Sequence, residues 1–242
     1  MPLLAHLGEL RKRLLLSLAG LAAGVAVCLV FAGPLYGLVA AVIDPFLTAG
    51  PLVYTNPADP VLLYVKVAFV GGLFAASPFI FFQLWLFVAP GLEPREKRVA
   101  LAFSCCAALL FIGGGLFAYF LALPVSLRFL LGVAGPFRPM ITITGYFDLA
   151  LALIAGCGLV FEIPVLVFFL SVLGLVTGRT LLRRFPHAVF VIGVVAAVIT
   201  PTTDMITMIV FMIPMVALYA VGIVIAFVFG KKRKTTDNTD ED

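Results

Sequence analysis

Four acids stand where a carboxylate can do more than solvate a surface. Glu162 lies near the middle of a long apolar run, in Gly158-Leu159-Val160-Phe161-Glu162-Ile163-Pro164. An ionised carboxylate facing lipid costs several kcal/mol, so this one should face a protein groove or a wet cavity. Pro164 removes a backbone hydrogen bond and frees the carbonyl of Val160 nearby. A protonated Glu162 can donate to such a group or to a polar residue on a partner helix. It can equally be a neutral acid bonded within its own bundle. Asp204 sits at the tip of the turn Thr200-Pro201-Thr202-Thr203-Asp204. There it caps the next helix, serves as a functional acid, or does both. Glu9 and Glu96 stand among Arg11, Lys12, Arg13, Arg95, Lys97 and Arg98. Either they balance local charge in exposed pairs of little worth, or they accept guanidinium groups from a partner peptide. Arginine suits the second role because its planar fork matches a carboxylate bidentately.

Other chemistry finds little support. Cys28, Cys105, Cys106 and Cys157 all lie in apolar runs without metal-ligand spacing. They read as small apolar side chains. His6 and His187 are isolated and take no metal or catalytic role. No Walker-type loop, HExxH, GxSxG or GxGxxG occurs. Nothing therefore argues for nucleotide binding or hydrolysis, and we expect no enzyme, cofactor or metal here.

The elements that must hold these acids are membrane helices. The chain is 63% hydrophobic and 12% charged, too apolar for a soluble body of 242 residues. It reads as an all-α polytopic membrane protein, and its charge of +4 is a matter of helix ends rather than of nucleic acid. The organising stretch is Phe82 to Arg98. A long apolar run ends in aromatics around Trp85, breaks at Pro90-Gly91, and opens into a charged loop with Glu93 and Glu96. That is how a transmembrane hairpin meets the cytoplasm.

Six spans are predicted, at about 14–33, 62–89, 99–123, 146–175, 187–199 and 205–229, within one domain over 1–230. Leu3, Leu7, Leu10 and Leu14 fall at helical spacing, so the lead lies along the membrane surface before turning in. The first run is too long for a signal-peptide core and lacks a cleavage site. Gly20 and Gly24 form a GxxxG pair suited to close packing. Residues 33–61, with five prolines, are expected as a loop that caps the bundle, and 124–145 as a second irregular stretch with Thr144 as N-cap. Lys66 reads as a snorkelling interfacial residue. Pro78, Pro164 and Pro214 should bend their helices, Pro78 by freeing a carbonyl near Phe74. The fifth span is only ~20 Å long, short for a ~30 Å core. Residues 176–186 form a basic loop, and 231–242 a disordered polar tail. The N-terminus, the two loops at 90–98 and 176–186, and the tail carry 13 of the 16 Lys and Arg. Both termini are therefore expected in the cytoplasm.

Four separated motifs resemble one family: His6-Leu7-x-Glu9-Leu10-Arg11-x-Arg13-Leu14; Gln83-Leu84-Trp85-x-Phe87-x-x-Pro90-Gly91-Leu92 with Glu96-Lys97-Arg98; Phe161-Glu162-x-Pro164; and Thr200-Pro201-x-x-Asp204 followed by Pro214-Met215 and Leu218-Tyr219. In this order, on six spans, they resemble the TatC family, the polytopic subunit of the twin-arginine translocase. The resemblance implies a concave, glove-like bundle in an energy-transducing membrane: the bacterial plasma or inner membrane first, an archaeal or organellar one otherwise. It implies recognition of the twin-arginine signal peptides of folded cargo. It also implies an oligomer of receptor units, assembly with small single-span TatA- or TatB-type subunits, and transport driven by the proton-motive force. By motif match the signal-peptide site carries to Glu9 and Glu96, with Arg11 and Arg98 alongside. The intramembrane polar residue is Glu162 and the turn acid is Asp204. Met208, Ala220 and Glu93 depart from the pattern, which often has Gln, an acid and an aromatic there. The competing reading is a proton-coupled small-solute transporter built on Glu162. One central carboxylate and no internal repeat speak against it.

Overall fold

The computed structural model describes residues 3–47, 50–88, 94–133, 140–172, 174–199 and 205–229. Nearly all of them are helical. The amphipathic lead and the first span are one helix, α1 (Leu3–Val30). No turn separates them, because no Gly or Pro interrupts Leu10 to Ala19. Helix α3 (Asp59–Val88) packs antiparallel along α1. Gly20 and Gly24 lie in this contact as expected. A Cβ at Gly24 would sit 2.8 Å from the carbonyl oxygen of Gly72, and one at Gly72 would sit 2.6 Å from the backbone nitrogen of Val25. Only glycine lets the two backbones come this close.

The stretch between these helices differs from expectation. It contains helix α2 (Ala32–Ala40) and a short 3-10 turn at Asp44–Phe46. Pro34 is compatible with α2 because it lies in the first turn, where its missing N–H is not needed. The cap expectation holds in its packing: Val39 and Ile43 are buried against α6 (Ile143–Val160). Val53 is tied to the start of α6 by a bridge, donating to Ile141 O at 3.1 Å and accepting from Ile143 N at 2.8 Å. Two tyrosine hydroxyls reach the last carbonyls of α2: Tyr119 donates to Leu38 O at 2.8 Å, and Tyr146 to Val39 O at 2.6 Å.

Prolines inside the spans are compensated locally. Pro78 leaves the carbonyl of Phe74 without its helical donor, and Ser77 Oγ supplies one at 2.8 Å. Helix α4 (Pro94–Phe117) does not end near Leu123 as expected. It runs through a π-helical turn at Ala118–Ala122 into α5 (Leu123–Val133). The wider turn gives the Pro124 ring room, so the proline bulges the helix instead of ending it. The fourth span is two helices, α6 and α7 (Ile163–Val172), separated at Phe161 and Glu162 as Pro164 suggests. Its N-cap is Thr142 rather than Thr144, with Oγ1 accepting from Gly145 N at 3.1 Å. It ends at Val172 rather than Leu175, where Gly174 takes a left-handed φ of 74° and Leu175 N returns to Leu170 O. The basic segment after it holds a short helix, α8 (Gly178–Arg183), capped by Thr177. Then follow α9 (Phe185–Ile199) and α10 (Met205–Phe229).

Among the described residues five stretches are long and apolar enough to cross a membrane, and Phe185–Ala197 is a shorter apolar helix. This short helix lies where the fifth span is expected. The 231–242 tail and the turn holding Asp204 lie outside the described residues.

Adjacent glycines of α4 offer a test of the packing. A Cβ at Gly114 would sit 2.5 Å from the carbonyl oxygen of Cys157 on α6, whereas one at Gly113 meets nothing within 4 Å. Gly114→Ala is expected to lower stability by about 1–3 kcal/mol. Gly113→Ala is expected to leave it unchanged or to raise it by up to about 1 kcal/mol. Unfolding of the two variants in detergent compares them, and equal behaviour would refute the close α4–α6 crossing.

Candidate functional site

Glu9 lies on the second turn of α1, beside the last turns of α3. Its Oε1 accepts from Arg13 Nη2 at 3.4 Å, one helical turn away. The other arm of the same guanidinium, Nη1, donates to Gln83 Oε1 at 3.2 Å. Gln83 is 6% exposed, whereas Glu9 and Arg13 keep about a quarter of their side-chain surface open. The buried amide therefore anchors the arginine, and the arginine holds the acid. An exposed Glu–Arg pair is worth little, but one whose cation is fixed from behind has lost less freedom to form. Arg11 and Lys12 are exposed. Glu96 is the third residue of α4, at a helix N-terminus, where a negative charge is favoured. The side chains of Glu96 and Arg98, and all of Glu93 and Asp204, lie outside the described residues.

Glu162 occupies the break between α6 and α7. Its backbone stays bonded, donating to Leu159 O at 3.2 Å and accepting from Leu166 N at 2.9 Å. Its Oε1 is buried and has no hydrogen-bond partner among the described residues. The expectation that it faces protein is met: α4 closes over this point, with Phe111 against Gly158 and Phe117 5.6 Å from Phe161. Glu9 is held at the contact of α1 with α3 and Glu162 sits under α4, so these two acids form two separate places. The first is a held acid at the α1 end. The second is a buried acid with spare hydrogen-bonding capacity.

A third charged place was not anticipated. Lys66 does not simply snorkel: its Nζ pairs with Asp148 Oδ1 on α6 at 2.5 Å, both side chains about half exposed. Asp148 carried no motif. The pair emerges only once α3 and α6 lie side by side, with Lys66 near the start of one and Asp148 near the start of the other. Gln83 was visible in the sequence as part of the aromatic hairpin, but its contact with Arg13, 70 residues away, was not.

The chain and its helical fold match one family over most of their length. The family model for the Sec-independent protein translocase protein TatC covers residues 5–214. The chain belongs to the TatC family. A TatC of Koribacter versatilis is 45% identical over 97% of this chain and 88% of that protein. A TatC of Aquifex aeolicus is 31% identical over 97% of this chain and 98% of that protein. The crystal structure of a twin-arginine translocase receptor, TatC, superposes with a TM-score of 0.81 and 31% identity, covering 91% of this chain and 97% of that one. This TatC chain is thus a multi-pass membrane protein of a Sec-independent translocase, and the transporter alternative is not favoured.

The Lys66–Asp148 pair is open to direct test. Lys66→Met alone leaves a carboxylate unpaired within the span, which is worse than removing both charges. Thermal unfolding in lipid nanodiscs should therefore rank Lys66→Met below the double variant Lys66→Met/Asp148→Leu. The opposite order would mean that the pair does not form.

Proposed function

We propose that this TatC chain is the core subunit that receives the twin-arginine signal peptide of folded cargo. It sits in the plasma or inner membrane with six spans and both termini in the cytoplasm. It assembles there, in several copies, with single-span TatA- or TatB-type subunits for export driven by the proton-motive force. Glu9 and Glu96 accept the guanidinium groups of the peptide, with Arg11 and Arg98 beside them. Glu162 and Asp204 serve partner assembly or transport.

One observation carries the reading: Glu9 is held in place by Arg13, which is anchored on the buried amide of Gln83. A carboxylate offers about four lone-pair sites, so Arg13 at Oε1 leaves acceptor capacity for a second guanidinium. The basic residues around it repel an Arg-Arg peptide at long range. A fixed, partly desolvated acid overcomes this at short range, because charge-assisted contacts strengthen as water is excluded. Glu162 fits a later step, since a buried acid with an unpaired oxygen is free to bond a polar group brought by a partner helix.

The test is titration of a fluorescent twin-arginine peptide against the detergent-purified protein, beside a Lys-Lys control. Binding should prefer Arg-Arg and fall about tenfold or more in Glu96→Ala, the worth of one charge-assisted contact. Unchanged affinity in that variant would remove Glu96 from the site. Gln83→Leu should weaken binding in the parent but not in a Glu9→Gln background, because Gln83 acts through Arg13 on Glu9 alone. Glu162→Ala should bind peptide normally and fail in export from membrane vesicles. Normal export by that variant would leave Glu162 a structural residue.

A further inference from the structure

The segment joining the fourth and fifth spans encloses a cavity of about 560 Å³ lined by Thr180, Arg183, Arg184 and His187. All four residues are exposed. Among the described residues no acid pairs with either arginine or with the histidine. Two fixed positive charges and a titratable third thus share one open space without compensation. Arginine is the residue best shaped for a phosphate, which it binds bidentately.

The cavity is held by packing, not left to a loose loop. Gly178, at the start of α8, is buried against the ring of Phe227 on α10, and a Cβ there would lie 2.7 Å from that ring. Tyr219 of α10 donates to Leu181 O at 3.1 Å and stands 6.1 Å from the ring of Phe185. The arginines therefore stand at the last residue and the C-cap of a short helix clamped to α10. Below His187, along the same face of α9, come Phe190 at 73% exposure, Val191 at 56% and Val194 at 49%. Spacings of three, four and seven residues place them in one stripe under the cavity. A basic pocket at the helix start and an open apolar stripe descending into the bilayer have the shape of a phospholipid. Free phosphate has no use for the stripe.

We propose that Arg183, Arg184, His187 and Thr180 bind the phosphate of an anionic phospholipid headgroup, with an acyl chain lying along Phe190, Val191 and Val194. Under the orientation proposed above, the lipid belongs to the cytoplasmic leaflet, where anionic headgroups gather beside basic helix ends. Binding itself does not depend on that orientation, nor on the signal-peptide reading.

The test uses the full chain in detergent, titrated with phosphatidylglycerol, phosphatidylcholine and phosphatidylethanolamine of identical chains, with bound lipid counted by native mass spectrometry. Phosphatidylglycerol should be retained about tenfold over phosphatidylcholine, the worth of one charge-assisted contact. The single variants Arg183→Gln and Arg184→Gln should each lower that preference several-fold, and the double variant should abolish it. Arg183→Lys/Arg184→Lys keeps the charge but loses the fork, and should retain only part. Because all these positions are exposed, gel filtration should show folded protein throughout. Phe190→Ser should weaken retention while leaving the charges in place. Equal retention of the three lipids would overturn the proposal, as would a preference that survives the double variant. Inorganic phosphate displacing the lipid at equal concentration would overturn the lipid as occupant.

Discussion

A backbone carbonyl inside a bilayer has no water to turn to. This constraint shapes the chain more than any single side chain does, because prolines repeatedly interrupt the spans and each strands a carbonyl. The chain answers in different ways. At Pro78 the neighbouring Ser77 hydroxyl caps the stranded Phe74 oxygen, and the helix continues with a bend. At Pro124 the helix widens into a π turn and goes on to Val133. At Pro164 the helix stops at Val160 and starts again at Ile163, so the proline falls in a first turn. Only the third solution opens the ladder, and the residue set in that opening is Glu162.

This pattern explains what could be read from the sequence and what could not. Gly20 and Gly24 announced a close helix contact, and the helix they meet is α3. The break at Glu162 followed from Pro164. By contrast Pro34 and Pro124 look like loop signals in the sequence, yet both lie within helical stretches. A proline's effect depends on whether it stands in a first turn, and on what compensates the carbonyl behind it. Composition does not record the second condition. The acids divide in the same way. Glu9 was recognisable by motif, but its anchoring through Arg13 to Gln83 is a contact between distant segments. Asp148 was invisible until α3 and α6 were placed side by side, since a lone Asp in an apolar run carries no spacing to read.

Charge in this molecule is organised by height. Arg13 and Glu9 lie at the end where α3 finishes, with Gln83 buried behind them. Lys66 and Asp148 lie toward the opposite end, near the starts of α3 and α6. Glu162 stands between, in the opening of the fourth span. In these two places each charge has a partner of opposite sign, which limits the cost of exposing it near lipid. Glu162 differs: one carboxyl oxygen is buried with no partner among the described residues. Among the described residues Glu162 is thus the carboxylate that keeps a buried oxygen unspent.

The two tyrosine latches on α2 carry a mechanical consequence. The last carbonyls of a helix are its loosest points, because no further turn supplies donors. Here Tyr119 and Tyr146 supply them from two other helices, and Val53 stitches the following segment to the start of α6. One end of the molecule is thereby braced across three helices, like the closed end of a tuning fork. Among the described residues no such latch joins α7 to α6, which meet at the two residues of an interrupted ladder, and α7 is seated on α10 instead. A shift of α10 would therefore carry α7 with it and bend the fourth span at Phe161 and Glu162, while the braced cap stayed in place.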